Sequence, residues 1–250
     1  MNSAQINDFA SNQAAQPQDN PILQGNFAPV DVENSFDNLE VVGTIPEDLR
    51  GTLLRTGPNP VHPGPNHHWF VGDGMLHAIQ LGDGQAKRYI NRWVRTKALE
   101  EKTGLPAANG GSQQELLNQG SGNVNVVGHG NRVLALPEVG LPHEMDTQLD
   151  TKGLFDYAGK LTSNMTAHPK IDGRTGQMLF FGYELFEPIV RYHEASAAGD
   201  LVKTIDIKLQ KSIMMHDFGV TETRVVFMDL PDRKSTRLNS SHVRTSRMPS

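Results

Sequence analysis

Two histidines carry the strongest suggestion of chemistry in this chain. His168 lies in Asn164-Met165-Thr166-Ala167-His168-Pro169-Lys170 and is followed by a turn and an apolar strand, Gln177 to Tyr183. His216 lies 48 residues further on, in Met214-Met215-His216-Asp217-Phe218-Gly219, at the mouth of a predicted hairpin whose second arm is Val225-Val226-Phe227-Met228. A period of roughly 40–50 residues is about one propeller blade, so two consecutive blades would each present a histidine from an equivalent place. Neutral imidazole is a common metal ligand. A lone histidine beside apolar residues is more often a satisfied core or turn residue, and spacing alone leaves both readings standing. The chain has no cysteine, which excludes disulfides and thiolate sites, so a metal would have to be held by its ten histidines or by oxygen donors.

The elements that must position these residues read as strands. The 24 glycines and 15 prolines are spread evenly, which fits many short strands joined by turns better than long helices. Strands are predicted at Val41–Ile45 and Gly51–Thr56, the second ending at the Gly57-Pro58-Asn59-Pro60 corner. Met75–Leu81 and Lys87–Val94 flank Gly82-Asp83-Gly84, where Asp-Gly readily takes the positive φ of a tight hairpin turn. Asn123–Val127 and Arg132–Leu136 flank Gly128-His129-Gly130-Asn131 in the same way. Gln177–Tyr183, Leu201–Leu209, Ile213–Val220 and Arg224–Asp229 extend the series. Strand follows strand with no βαβ alternation, so the class is all-β: a sandwich, a barrel or a propeller. Short helices are expected only around Ala98–Lys102 and Gln113–Leu117. No P-loop, dinucleotide fingerprint or Gly-x-Ser-x-Gly elbow is present.

With 250 residues and 37% hydrophobic content, the chain can bury a sizeable core. Residues 1–20 are polar, without a basic n-region or an apolar h-region, and read as a flexible lead-in. That makes the cytoplasm the default compartment. No segment reaches the roughly 18 consecutive apolar residues of a membrane helix, although short stretches such as Met178–Phe181 leave peripheral contact with a bilayer open. The net charge of −5 hides an asymmetry. Residues 233–250 hold five basic residues and no acidic one, leaving the body with 18 Lys and Arg against 28 Asp and Glu. So acidic a body argues against a nucleic-acid partner, which requires a basic face. The turn-and-strand register stops at Asp232, and the basic tail carries no strand pattern and reads as non-native. The folded part is therefore expected at 21–232.

Five segments, two of them those that carry His168 and His216, add a resemblance. They are Gly51-Thr52-Leu53-Leu54-Arg55-Thr56-Gly57-Pro58-Asn59-Pro60, His68-Trp69-Phe70-Val71-Gly72-Asp73-Gly74-Met75-Leu76-His77, Leu134-Ala135-Leu136-Pro137-Glu138-Val139-Gly140-Leu141-Pro142, Thr166–Asp172 and Met214–Pro231. In this order, from about Asn20 to Asp232, the chain resembles the carotenoid cleavage oxygenase family, which also contains the retinal-pigment-epithelium isomerase and the lignostilbene dioxygenases. The resemblance implies a seven-bladed β-propeller, of which this is the N-terminal part, with helical insertions capping one face. It implies Fe(II) on the axis held by four histidines from separate blades, with two open positions for dioxygen. His168 and His216 match the first two of these ligands. Glu138 matches a carboxylate that accepts the imidazole proton facing away from iron and is expected to hold His216. Thr166 and Asp217 flank the histidines without an assigned role.

The implied reaction is oxidative cleavage of a carbon–carbon double bond in a carotenoid or apocarotenoid, an apolar polyene, to two carbonyl products. A stilbene-cleaving enzyme of the same family, or a metal-independent propeller scaffold, is the alternative. His143 is read as part of a substrate-side loop rather than as a ligand. His62, His67 and His68 read as a solvated loop cluster, while His77, His129 and His193 are placed near strand edges or turns. Trp69, Phe70 and Phe186 are candidates for a tunnel wall or for ordinary core. The third and fourth histidines of the family, and two further glutamates, would fall beyond Asp232. The chain as given is therefore expected to be inactive and prone to associate through open strand edges.

Overall fold

The computed structural model describes residues 20–108, 120–184, 186–229 and the backbone of 242–247. Within them the chain forms four antiparallel sheets and little helix. The first sheet contains β1 (Ser35–Asp37), β2 (Gly51–Pro58), β3 (Gly74–Gly82) and β4 (Gln85–Trp93) in the order β1-β4-β3-β2. The second is the meander β5 (Asn125–His129), β6 (Arg132–Leu136), β7 (His143–Met145) and β8 (Thr151–Leu154). The third is the meander β9 (Lys170–Ile171), β10 (Met178–Tyr183), β11 (Ile189–Ala195) and β12 (Leu201–Lys208). The fourth holds β13 (Phe218–Val220), β14 (Arg224–Asp229) and β15 (His242–Arg247).

Alternation along the strands dictates how these sheets stack. Side chains of a strand point to opposite faces with period two, and β10 is buried at all six positions. Its Met178 and Phe180 pack with Leu134 and Leu136 of β6, while Leu179, Phe181 and Tyr183 pack with Phe218, Val225 and Phe227 of the fourth sheet. The third sheet is thus an inner layer between the second and the fourth. Leu76, Ala78 and Ile90 join Ala135 and Met145 in the same way, so the first sheet stacks on the second. Each fully buried large apolar side chain contributes about 1.5–3 kcal/mol relative to exposure, and the four layers hold together through these shared faces.

Turn chemistry sets the hairpins. Asp83 (φ 56°) and Gly84 (φ 69°) form the two-residue β3–β4 turn with both residues left-handed. Gly130 (φ 57°) and Asn131 (φ 60°) do the same between β5 and β6, so β5 runs on to His129, beyond the predicted end at Val127. Helix α1 (Lys97–Thr103) begins at Thr96, whose Oγ1 accepts the Leu99 N–H at 3.1 Å, and ends at left-handed Gly104. Leu99 packs with Met75 and Trp93. The helix expected at Gln113–Leu117 lies outside the described residues.

Several expectations are corrected. Val41–Ile45 is not a strand: pairing with β4 ends at Leu39, Gly43 takes φ 99°, and Val42 is exposed. Of Ile213–Val220 only Phe218–Val220 pairs, because the His216 carbonyl and the Phe218 N–H are satisfied by the side chains of Thr166 and Asp217. Met178–Phe181 is interior and not available to a bilayer. The tail does contain a strand: β15 pairs antiparallel with β14 from Arg224↔Arg247 to Asp229↔His242.

Candidate metal centre

His168 and His216 each stand two residues ahead of the first strand of their sheets, β9 and β13. The corresponding place before β5 is taken by Asn123, whose amide donates to the Gly72 carbonyl at 3.0 Å. The stacking of the third and fourth sheets brings the two imidazoles face to edge, with ring centroids 4.3 Å apart. Glu138, two residues past the end of β6, comes from the second sheet. One ligand atom from each of Glu138, His168 and His216 lies within 4.8 Å of the others.

The loop carrying His168 is fastened along its length. The Met165 N–H donates to Gly140 O at 2.9 Å and the Thr166 N–H to Phe181 O at 2.8 Å, so the segment lies beside β10. Asn125 Nδ2 donates to Ala167 O at 2.7 Å, and Asn164 Nδ2 to Tyr183 O at 3.1 Å. Thr166 Oγ1 donates to the His216 carbonyl at 3.2 Å and links the two histidine segments directly. Lys170 Nζ meets Asp217 Oδ1 at 2.7 Å, a second bridge between the same segments. Neither Thr166 nor Asp217 presents a donor atom to the cluster; both hold backbone in place.

Glu138 Oε2 is 2.9 Å from His216 Nδ1, and Tyr183 Oη donates to Glu138 Oε1 at 3.3 Å. An ionised carboxylate only accepts, so Nδ1 is the nitrogen that donates here and Nε2 is the one left to meet a metal. His216 is exposed, with its ring open towards a cavity of about 1200 Å³. His168 Nε2 is buried and has no hydrogen-bond partner among the described residues. Burial, and then the neighbouring His216, hold the His168 pKa below the ordinary histidine range, which keeps that ring neutral. A buried imidazole nitrogen without a partner beside a second imidazole with its lone pair free suits a divalent cation that accepts nitrogen ligands. The donor set fits a metal.

Among the described residues, the other histidines fall outside this cluster. His143 lies on strand β7, not in a loop, and is 2% exposed with Nδ1 unpartnered. His193 is in the middle of β11, with Nε2 2.9 Å from Ser163 Oγ and Nδ1 2.9 Å from Thr204 Oγ1. His77 is mid-strand in β3 beside Tyr89 Oη, while His129 closes β5 with Nε2 on Gly176 O. His62 and His67 line the cavity, as do Trp69 and Phe70, which are exposed rather than core. Phe186 is 92% exposed and lines nothing at the site. Tyr183 was not among the candidates, since nothing in its spacing marks it; only the three-dimensional register brings its hydroxyl to Glu138.

Stacked antiparallel sheets that offer histidines from equivalent places define a β-propeller with a candidate metal centre. The chain belongs to the family described as retinal pigment epithelial membrane protein, whose model matches residues 27–247. A carotenoid cleavage oxygenase from Mycobacterium tuberculosis is 41% identical over 223 residues, 88% of this chain and 44% of that protein. The crystal structure of a lignostilbene dioxygenase from Pseudomonas brassicacearum is similar with a TM-score of 0.73 and 31% identity, over 83% of this chain and 46% of that one. A cobalt-substituted Synechocystis apocarotenoid oxygenase is similar with a TM-score of 0.69 and 26% identity, over 80% of this chain and 47% of that one. The chain spans about half the length of the relatives it matches.

Proposed function

We propose that this chain, within a polypeptide of its relatives' length, forms part of an iron-dependent dioxygenase that splits a carbon–carbon double bond of a carotenoid or apocarotenoid. The carrying observation is the pair His168 and His216, presented from equivalent places on neighbouring sheets with His168 Nε2 buried and unpartnered. His168 and His216 would hold Fe(II), and its further nitrogen ligands would come from residues outside this chain. Iron would supply the activation of dioxygen, whose two oxygen atoms end as the two carbonyl oxygens of the products. Glu138 keeps the Nδ1 hydrogen on His216 and so directs its lone pair to the cavity. Pro58, Val61, Trp69, Phe70, Val71 and Met214 give the cavity an apolar wall suited to a polyene. The exposed run Trp69-Phe70-Val71 offers a path for such a substrate from a bilayer surface, which keeps a cytoplasmic protein with peripheral membrane contact the working picture. Among the described residues no helix is long and apolar enough to cross a membrane.

The test is elemental analysis of the full-length protein with His168→Ala and His216→Ala beside it, and product analysis with a carotenoid and with a stilbene. About one iron per chain is expected in the parent, with a large loss in either variant, and aldehyde or ketone products from the polyene. Full iron content in both variants would remove these histidines from the metal. A metal-free, inactive parent would leave the scaffold reading, and turnover of the stilbene alone would move the substrate class.

A further inference from the structure

The end of β10 touches both histidine segments at once. Its backbone holds the His168 loop, through Phe181 O to the Thr166 N–H at 2.8 Å and Tyr183 O to Asn164 Nδ2 at 3.1 Å. Its last side chain reaches the other histidine through a carboxylate, Tyr183 Oη to Glu138 Oε1 at 3.3 Å and Glu138 Oε2 to His216 Nδ1 at 2.9 Å. Tyr183 is 2% exposed, lies on a paired strand opposite Val190 and belongs to the same buried apolar cluster as Phe181 and Phe218, so its ring is held by packing. Glu138, by contrast, sits on a connection between β6 and β7 and has no other side-chain hydrogen bond among those described. Without a second anchor, a glutamate on a loop rotates about three side-chain bonds and holds an imidazole poorly.

We propose that Tyr183 is a positioning residue for the metal centre: its hydroxyl fixes the Glu138 carboxylate, which in turn fixes the tautomer and direction of the His216 ring. Burial, followed by the adjacent Glu138 charge, raises the Tyr183 pKa, so the hydroxyl stays protonated and remains a donor. The two hydrogen bonds occupy different oxygens of one carboxylate, which gives the chain of contacts a defined order from rigid strand to loop to ligand. Partners of this kind, beyond the ligands themselves, typically alter metal affinity or activity by about 10–100-fold when removed. Tyr183 acts one step further out, and about a 3–10-fold loss of affinity is expected from it on that scale.

The inference rests on the reading of His216 as a ligand, and its test separates the two. Metal-free full-length protein is labelled with ¹⁵N-histidine, and the His216 signals are identified by their loss in His216→Asn. In the parent, His216 should be held as the Nδ1–H tautomer with a slowly exchanging hydrogen. In Tyr183→Phe, which keeps the ring and its packing, that tautomer preference should weaken and exchange should speed up, while the other histidine signals stay in place. Cobalt(II) is then titrated into the parent, Tyr183→Phe, Glu138→Gln and the double variant. Weaker binding in Tyr183→Phe, with the double variant no weaker than Glu138→Gln, supports an effect that runs through the carboxylate. Independent, additive losses, or an unchanged tautomer with unchanged cobalt binding, overturn it. If the parent takes up no cobalt, the ligand reading fails on its own, and the tautomer comparison still decides whether Tyr183 orients His216. Should Tyr183→Phe fail to fold, the exchange rate of the His216 Nδ1 hydrogen in Glu138→Gln against the parent decides: no change there overturns the relay.

Discussion

His168 and His216 differ in what surrounds them, and the difference assigns separate tasks. His168 is half-buried, its Nε2 shielded from solvent and without a hydrogen-bond partner among the described residues, while His216 is exposed and is held by Glu138. A Glu138→Gln variant keeps the shape of the side chain but loses the charge that holds the Nδ1 hydrogen. About 10–100-fold weaker metal retention or turnover is expected, measured by chelator competition on the full-length protein; parent-like values would return Glu138 to an ordinary loop residue. Two other histidines bear on stability. Burial lowers the pKa of both His143 and His193 to about 4 from an ordinary 6.5. Between those values the unfolded chain binds protons that the folded chain refuses, so stability rises with pH through this window and is lost as pH falls from about 6.5 towards 4. Each group contributes a loss of up to about 3 kcal/mol across the window. Urea midpoints at pH 7.5 and 5 should show the drop, and His143→Leu, which removes a buried nitrogen without a hydrogen-bond partner among the described residues, should reduce it to about the share of His193. An equal drop in that variant would assign the acid sensitivity to other groups.

At the scale of elements, two kinds of strand are legible in the sequence: those closed by left-handed Asp-Gly or Gly-Asn turns, as β3 and β4 or β5 and β6, and those whose side chains alternate, as β12 and β14. The misses have physical causes. β11 reads Ile-Val-Arg-Tyr-His-Glu-Ala, too charged for an interior strand until its partners are seen: Arg191 to Glu184 and Asp206, His193 to Ser163 and Thr204, Glu194 to Lys203. β1, β7, β8 and β9 are two to four residues long, below the length at which period two can be detected. At the centre, the Glu138–His216 pair was foreseen only through resemblance, and Tyr183 not at all, because a contact across 45 residues leaves no local trace. Gly182 is a further element that pattern reading passes over. It lies where β10 meets the His168 loop, and a Cβ there would overlap the backbone oxygen of Asn164. Overpacking of this kind costs about 1–3 kcal/mol, and here the yielding part is the loop that aims His168. Gly182→Ala should therefore lower both the melting temperature and the iron content, whereas a variant that is destabilised yet fully loaded would show that the loop can shift without moving the ligand.

The molecule as a whole stacks four sheets in series, and its two outer sheets are covered on one face only by described residues. The second and third sheets are buried on both sides, whereas on the first sheet Phe36 and Leu53 are exposed. Such faces, together with unpaired strand edges, are surfaces on which other chains can pair. The 250-residue chain alone should therefore run as an oligomer or precipitate, and with only two of the expected imidazoles it should take up no oxygen with iron and a carotenoid present. The tail bears on this outcome in a way its sequence did not suggest. β15 pairs along the whole of β14, so its removal would strip one edge of the fourth sheet and leave the β14 backbone groups to find partners elsewhere. Deleting residues 233–250 should lower the denaturation midpoint and enlarge the oligomer, as followed by light scattering. The alternative, a tail that contributes nothing, predicts identical scattering and an identical midpoint, and that result would restore the view of these residues as foreign to the fold. A monodisperse monomer that binds iron and cleaves a polyene would instead show that the four sheets suffice by themselves.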